Sequence, residues 1–131
     1  MSSLRELVFD RCTGHAGTAA LIGTRCYPDR LPQNVTLPCV VYSAPVSDVD
    51  TEYRTHEPVM VPRSVARVQI DAYAETGDGA EALANALVAA WSGHQSLPDI
   101  GPCQVQNRIA TWETGTERYR TIIDVLVDYR R

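Results

Sequence analysis

Two segments alternate apolar and polar residues one by one, and a third repeats apolar residues at helical spacing. Residues 64–75, Ser-Val-Ala-Arg-Val-Gln-Ile-Asp-Ala-Tyr-Ala-Glu, place Ala66, Val68, Ile70 and Ala72 on one side and Arg67, Gln69, Asp71 and Tyr73 on the other. That period of two is the signature of a half-buried strand. Residues 117–130 repeat it, with Tyr119, Thr121, Ile123, Val125, Val127 and Tyr129 against a charged face. Between them, Ala80, Leu83, Ala84, Leu87, Val88 and Trp91 make a continuous stripe that predicts a helix over 79–92. Thr76-Gly-Asp-Gly79 turns the chain into this helix, with Asp78 as its expected cap, and Gly93 ends it.

The remaining segments fill out the plan. Residues 3–12 predict a short helix, because Ser3 and Glu6 form a capping-box pattern and Leu4, Leu7 and Val8 share a face. A second helical run is expected over 16–22, then a short extended piece at 24–28. Pro28, Pro32 and Pro38 make 28–38 a stiff, irregular connection. Residues 39–44, Cys-Val-Val-Tyr-Ser-Ala, are apolar on both faces, as in a central strand. Residues 45–63 carry Asp48, Asp50, Glu52, Arg54, His56, Glu57 and Arg63 among three prolines, and predict a protruding hairpin or long arm. Residues 103–113 predict a strand with Cys103, Val105, Asn107, Ile109 and Thr111 on one side, turned by Thr114-Gly-Thr116 into an antiparallel hairpin with 117–130. The expected fold is α+β: one domain over 1–131, with a mixed, mainly antiparallel sheet of four to five strands. Two or three helices pack on one face, and an arm occupies about 45–63.

Composition narrows the function. Of 131 residues, 16 are acidic and 12 basic, giving a net charge of −4, and every basic residue is arginine. An apolar share of 44% can bury a core, which excludes a disordered chain. The acidic balance argues against a DNA-reading module, whose footprint is basic. No run approaches the roughly 20 apolar residues of a membrane span, and the N-terminus shows no apolar signal core, so synthesis in the cytoplasm is expected. Cys12, Cys26, Cys39 and Cys103 include no C-x-x-C pair and read as small buried hydrophobes.

Patterns that could carry chemistry fail on their own requirements. His15, His56 and His94 are far apart and lack the clustered ligands of a zinc site. Asp48, Asp50 and Glu52 alternate, but residues 48–59 lack the central glycine of a calcium loop. Gly77-Asp-Gly79 has neither the glycine frame nor the lysine of a phosphate loop. Cys12 near His15 is the only local thiol–imidazole pair, and no G-x-S-x-G elbow exists. No catalytic, cofactor-binding or metal-binding residue is assigned. One feature rises above this background. On the polar side of the last strand, Arg118, Arg120, Asp124 and Asp128 are joined by Ile122 and Leu126. Either the core is two-sided, or Arg118, Arg120, Ile122, Asp124 and Leu126 form a subunit interface, since an apolar stripe rimmed by charge marks such surfaces. Trp112 and Tyr73 are expected on the same surface.

The order of elements, with Arg-Cys-Tyr-Pro at 25–28, Leu-Pro-Gln-Asn-Val-Thr-Leu-Pro-Cys-Val-Val-Tyr at 31–42, Ala-Arg-Val-Gln-Ile-Asp-Ala-Tyr-Ala at 66–74 and a closing hairpin ending Asp-Val-Leu-Val-Asp-Tyr-Arg, resembles one family over the whole chain. That family is the tail completion or tail terminator proteins of long-tailed phages and gene transfer agents. The chain departs from it at 10–17, where members tend to run a smoother helix. The resemblance implies a structural virion protein at the head–tail junction, without enzyme activity or cofactor. It implies a homo-oligomer, a hexameric ring, that caps the tail tube, ends its elongation and joins the capsid neck. The implied partners are the tail tube protein and a neck or head completion protein, with DNA passing through the ring without sequence-specific binding. Asp48, Asp50, Glu52, Tyr53, Arg54, His56 and Glu57 would then form an arm meeting the tube or a neighbour. A capsid-side neck protein, a tube-like subunit, and a small enzyme or ligand-binding domain are the alternatives.

Overall fold

The computed structural model describes residues 3–51, 63–113 and 118–130. Within them the order is α1 (Leu4–Gly14), α2 (Ala16–Ile22), β1 (Cys26–Pro28), β2 (Cys39–Thr51), β3 (Arg63–Ala74), α3 (Gly77–Trp91), β4 (Ile100–Glu113) and β5 (Arg118–Arg130). The strands form one sheet in the order β1-β2-β3-β5-β4. β1 runs parallel to β2 and every other pairing is antiparallel, so the sheet is mixed, as expected.

All three helices lie on one face. Alternation in β3 and β5 turns Ala66, Val68, Ile70, Ala72, Ile123, Val125 and Val127 toward them, each fully buried. α3 answers with Leu83, Ala84, Leu87 and Trp91, and α1 and α2 with Val8, Cys12 and Ile22. Burial of each such leucine or isoleucine stabilises the fold by about 1.5–3 kcal/mol. Ser3 caps α1 as its sequence predicts, its hydroxyl accepting from the Glu6 N–H at 3.2 Å. The cap of α3 is Thr76, not Asp78: Thr76 Oγ1 accepts from the Gly79 N–H at 3.0 Å, and Asp78 lies in the first turn. There its carboxylate can still favour the positive end of the helix.

Three features depart from the sequence pattern. First, residues 45–51 are not free arm. β2 continues through them, and Ser47–Thr51 pair with Arg67–Arg63 after an irregularity between Ser43 and Ser47. Pro45 falls in that irregularity, where its missing N–H breaks no ladder bond. Second, Gln106 is an extra residue in β4: Val105 faces Val125, whereas Asn107 already faces Asp124. Cys103 and Val105 therefore point to the helices, while Asn107, Ile109 and Thr111 point away, which corrects the single-sided strand expected. Third, the proline-rich connection packs on the far face. Tyr27, Leu31, Val35 and Leu37 cover Cys39, Val41 and Tyr73, a small second core at one end of the sheet.

Candidate functional surface

The sheet face away from the helices is built by β3 and β5 at its centre, with β2 and β4 on its flanks. Strand alternation brings Arg67, Gln69, Asp71 and Tyr73 beside Arg120, Ile122, Asp124 and Leu126. Arg120 Nη2 donates to Asp71 Oδ2 at 2.6 Å, and Gln69 Nε2 donates to Asp71 Oδ1 at 3.1 Å. Arg120 also lies 3.9 Å from Glu113 and 5.7 Å from the centre of the Tyr73 ring. Arg67 Nη2 donates to Asp124 Oδ2 at 3.0 Å.

Burial decides how these charges behave. Asp71 and Asp124 are buried, while the Arg67 side chain is 53% exposed. Burial pushes the Asp71 carboxyl above its ordinary range, with the Arg120 hydrogen bond opposing it. The Arg120 guanidinium is partly desolvated, which weakens its charge, but Asp71 outweighs this and keeps it firmly protonated. The face thus carries fixed, internally neutralised pairs with apolar side chains set between them. Ile122 and Leu126 are half-buried, and Ile109 from β4 is 49% exposed. At the β2 flank Val49 is 66% exposed beside Val65.

The residues anticipated as an interface therefore share one face, and Tyr73 joins them. Trp112 does not. The extra residue at 106 turns it to the helix side, where its ring lies 4.4 Å from that of Tyr119. Of the anticipated arm, Asp48 lies in β2 on the helix side, where it accepts from Tyr129 Oη at 2.6 Å. The Asp50 backbone pairs with Ser64. Glu52, Tyr53, Arg54, His56 and Glu57, and the Asp50 side chain, lie outside the described residues. The structure does not bring Asp48 onto the face that carries Ile122 and Leu126. Sequence reasoning missed Ile109 and Val49 as members of that face: the bulge hid the first, and the charged neighbours Asp48 and Asp50 the second.

Among the described residues, the thiol and imidazole that the sequence sets close together lie elsewhere and do not meet. Cys12 is fully buried, while the His15 ring is within 3.3 Å of Thr18 Oγ1. All four cysteines are free and buried. Burial pushes the Cys39 thiol up to about 11 and the Cys103 thiol up to about 12, and contact with Cys12 raises Cys26. Such thiols are poor nucleophiles at neutral pH. Among the described residues no three His, Cys, Asp or Glu side chains gather as metal ligands, and no helix is long and apolar enough to cross a membrane.

Fixed ion pairs, interleaved apolar residues and buried thiols define a protein whose exposed surface is suited to docking. The sequence model of the family described as "Tail completion protein gp17" matches residues 6–129, and the chain belongs to that family. It is a structural protein of the phage tail, located in the virion, and the family is not an enzyme family. Among solved structures, a chain of the virion of a native gene transfer agent particle shares its fold, with a TM-score of 0.73 and 19% identity. The match covers 95% of this chain and 92% of that one. No curated protein sequence matches.

Proposed function

We propose that this chain caps the finished tail tube as a ring of six copies, ends tail elongation and presents the surface on which the capsid neck is joined. The observation that carries the reading is the helix-free sheet face, in a chain of the tail completion family. Its buried carboxylates Asp71 and Asp124 are already paired with Arg120 and Arg67, so a partner gains from covering Ile109, Ile122 and Leu126 without having to neutralise them. Arg118, Arg120, Ile122, Asp124 and Leu126 supply part of the contact between ring neighbours. Asp48, Asp50, Glu52, Tyr53, Arg54, His56 and Glu57 meet the tube or an adjacent subunit. Head-to-tail contact between unlike patches closes a ring when the rotation fits. Each copy adds a charge of −4, so the assembled ring carries net negative charge, which disfavours a grip on phosphate and favours a sliding duplex.

Native mass measurement, alone and with tail tube protein, tests the ring. Leu126→Glu combined with Ile122→Glu is expected to leave the monomer folded and to abolish the six-membered species. Loss of the gene is expected to give overlong or unjoined tails. A chain that remains monomeric with tube protein present, or a gene loss that abolishes tails altogether, refutes the reading.

A further inference from the structure

Among the described residues, the outer edge of β4 beyond its bulge pairs with no strand, and it is distinct from the open sheet face. β4 is the last strand of the sheet, and residues 106–112 are exposed on both sides. Its regular stretch beyond the bulge, Asn107–Glu113, contains no proline and no lysine, and Arg108 is its only cation. Natural sheets usually blunt such an edge with those residues or cover it. α3 packs mainly on β3 and β5 and reaches β4 through Asn85, which accepts from Arg108. A cavity of about 230 Å³ remains between α3 and β4, lined by Gly77, Ala80, Glu81, Arg108, Ala110 and Tyr119. Apolar groups flank the edge: Ile109 beside Ile122 on the open face, and Trp112 with Tyr119 on the helix side.

We infer that β4 pairs antiparallel with β4 of a second copy, across a two-fold axis at Ala110. The sequence favours this occupant and this register. The opposite edge is short and broken: β1 covers it with only Cys26–Pro28, where Pro28 has no N–H to donate, and the part of β2 beyond β1 holds Pro45 and a register irregularity between Ser43 and Ser47, so it offers β4 no regular ladder of matching length. An axis at Arg108 would set two arginines opposite each other, and an axis at Ile109 would draw the bulge into the pairing. An axis at Thr111 would set Ile109 against Glu113. The axis at Ala110 uses the whole stretch from Asn107 to Glu113 and opposes no like charges. It sets Ile109 against Thr111, Asn107 against Glu113 and Arg108 against Trp112, each twice.

The last pair is the specific one. Arg108 Nη1 donates to Asn85 Oδ1 at 2.7 Å, which holds the guanidinium on the helix side at the cavity wall. The Trp112 ring of the second copy then covers it, a cation–aromatic contact repeated by symmetry. Small Ala110 at the axis lets the two hairpins approach. The sheet becomes continuous through both copies, and the face carrying Leu126, Arg67 and Asp124 stays uncovered. The inference therefore does not rest on the proposed ring.

Cysteine cross-linking tests both contact and register, because the four native thiols are buried. Opposed residues in an antiparallel pair have Cα atoms about 4.5–5.5 Å apart, within the range of about 4.4–6.8 Å that a disulfide spans. Ala110→Cys is expected to form a disulfide-linked dimer when oxygen, with a copper catalyst, takes up the two electrons. Asn107→Cys is the control: its two copies would lie roughly 20 Å apart, so it is expected to remain unlinked. In sedimentation over a concentration series, Ala110→Lys is expected to raise the dimer midpoint at least about fivefold, through like charges set directly opposite. Its thermal transition should match that of the unaltered chain. Equal cross-linking at both positions, cross-linking at Asn107→Cys alone, or an unaltered chain that sediments as a monomer at every concentration overturns the inference.

Discussion

Arg63 offers the sharpest test of how the far end of the sheet is held together. Its side chain is 2% exposed, with Nε donating to Asp128 Oδ1 at 2.9 Å and Nη1 donating to the Pro98 carbonyl at 2.8 Å. It ties the first residue of β3 to β5 and to the turn before β4. Arg63→Ala removes the guanidinium that donates to a mostly buried carboxylate and to a carbonyl. Breaking a buried pair from one side costs about 3–5 kcal/mol. Asp128 keeps 19% of its side chain in solvent, so the lower end of that range, about 3 kcal/mol, applies. In urea that is a midpoint shift of about 2 M, and in a thermal scan roughly 10 °C. Arg63→Met retains most of the volume and isolates the charge. Combined with Asp128→Asn, it should recover at least about half of the loss, because no charged carboxylate is then left without its guanidinium neighbour. Urea unfolding of the four-variant cycle measures this. A loss below about 1 kcal/mol for Arg63→Ala, or a double variant no more stable than the weaker single, would refute the reasoning.

Three further outcomes are expected. Leu87→Ala opens a cavity in a fully buried site between α3 and the sheet and should cost about 2–5 kcal/mol in denaturant unfolding. Thr76→Ala removes the α3 cap and should cost about 1 kcal/mol, whereas Asp78→Ala should cost less, a contrast that thermal scans resolve. Burial, then the nearby charge of Arg11, holds the His94 imidazole below its ordinary range. A lowered folded value favours the neutral ring, so stability is full above the unfolded value near 6.5 and is lost as pH falls through the folded one. His94→Gln should flatten that acid-side slope in unfolding measured across pH.

Elements that earn their burial from one uninterrupted period were legible in the sequence. β3, β5 and the α3 stripe each present a single apolar side, and the structure buries those sides against one another. The interface candidates of β5 were legible for the same reason, since Ile122 and Leu126 break an otherwise charged side. Parity was not legible where an extra residue enters. Nothing in Val105-Gln-Asn107 announces a bulge, because its cause lies in the pairing with β5. The strand from Ser47 to Thr51 was masked by its acids and by Pro45, a composition that also suits a loop. The second small core was missed because prolines advertise an irregular path and say nothing of what Leu31, Val35 and Leu37 cover.

Gln106 has an outcome larger than its size. With Ile100–Val105 anchored, deleting that one residue would rotate every later side chain of β4 through half a turn. Ile109 would swing inward toward the helices, and the indole of Trp112 would emerge among the ion pairs of the opposite side. A relative lacking this insertion would wear its aromatic and aliphatic contacts inside out.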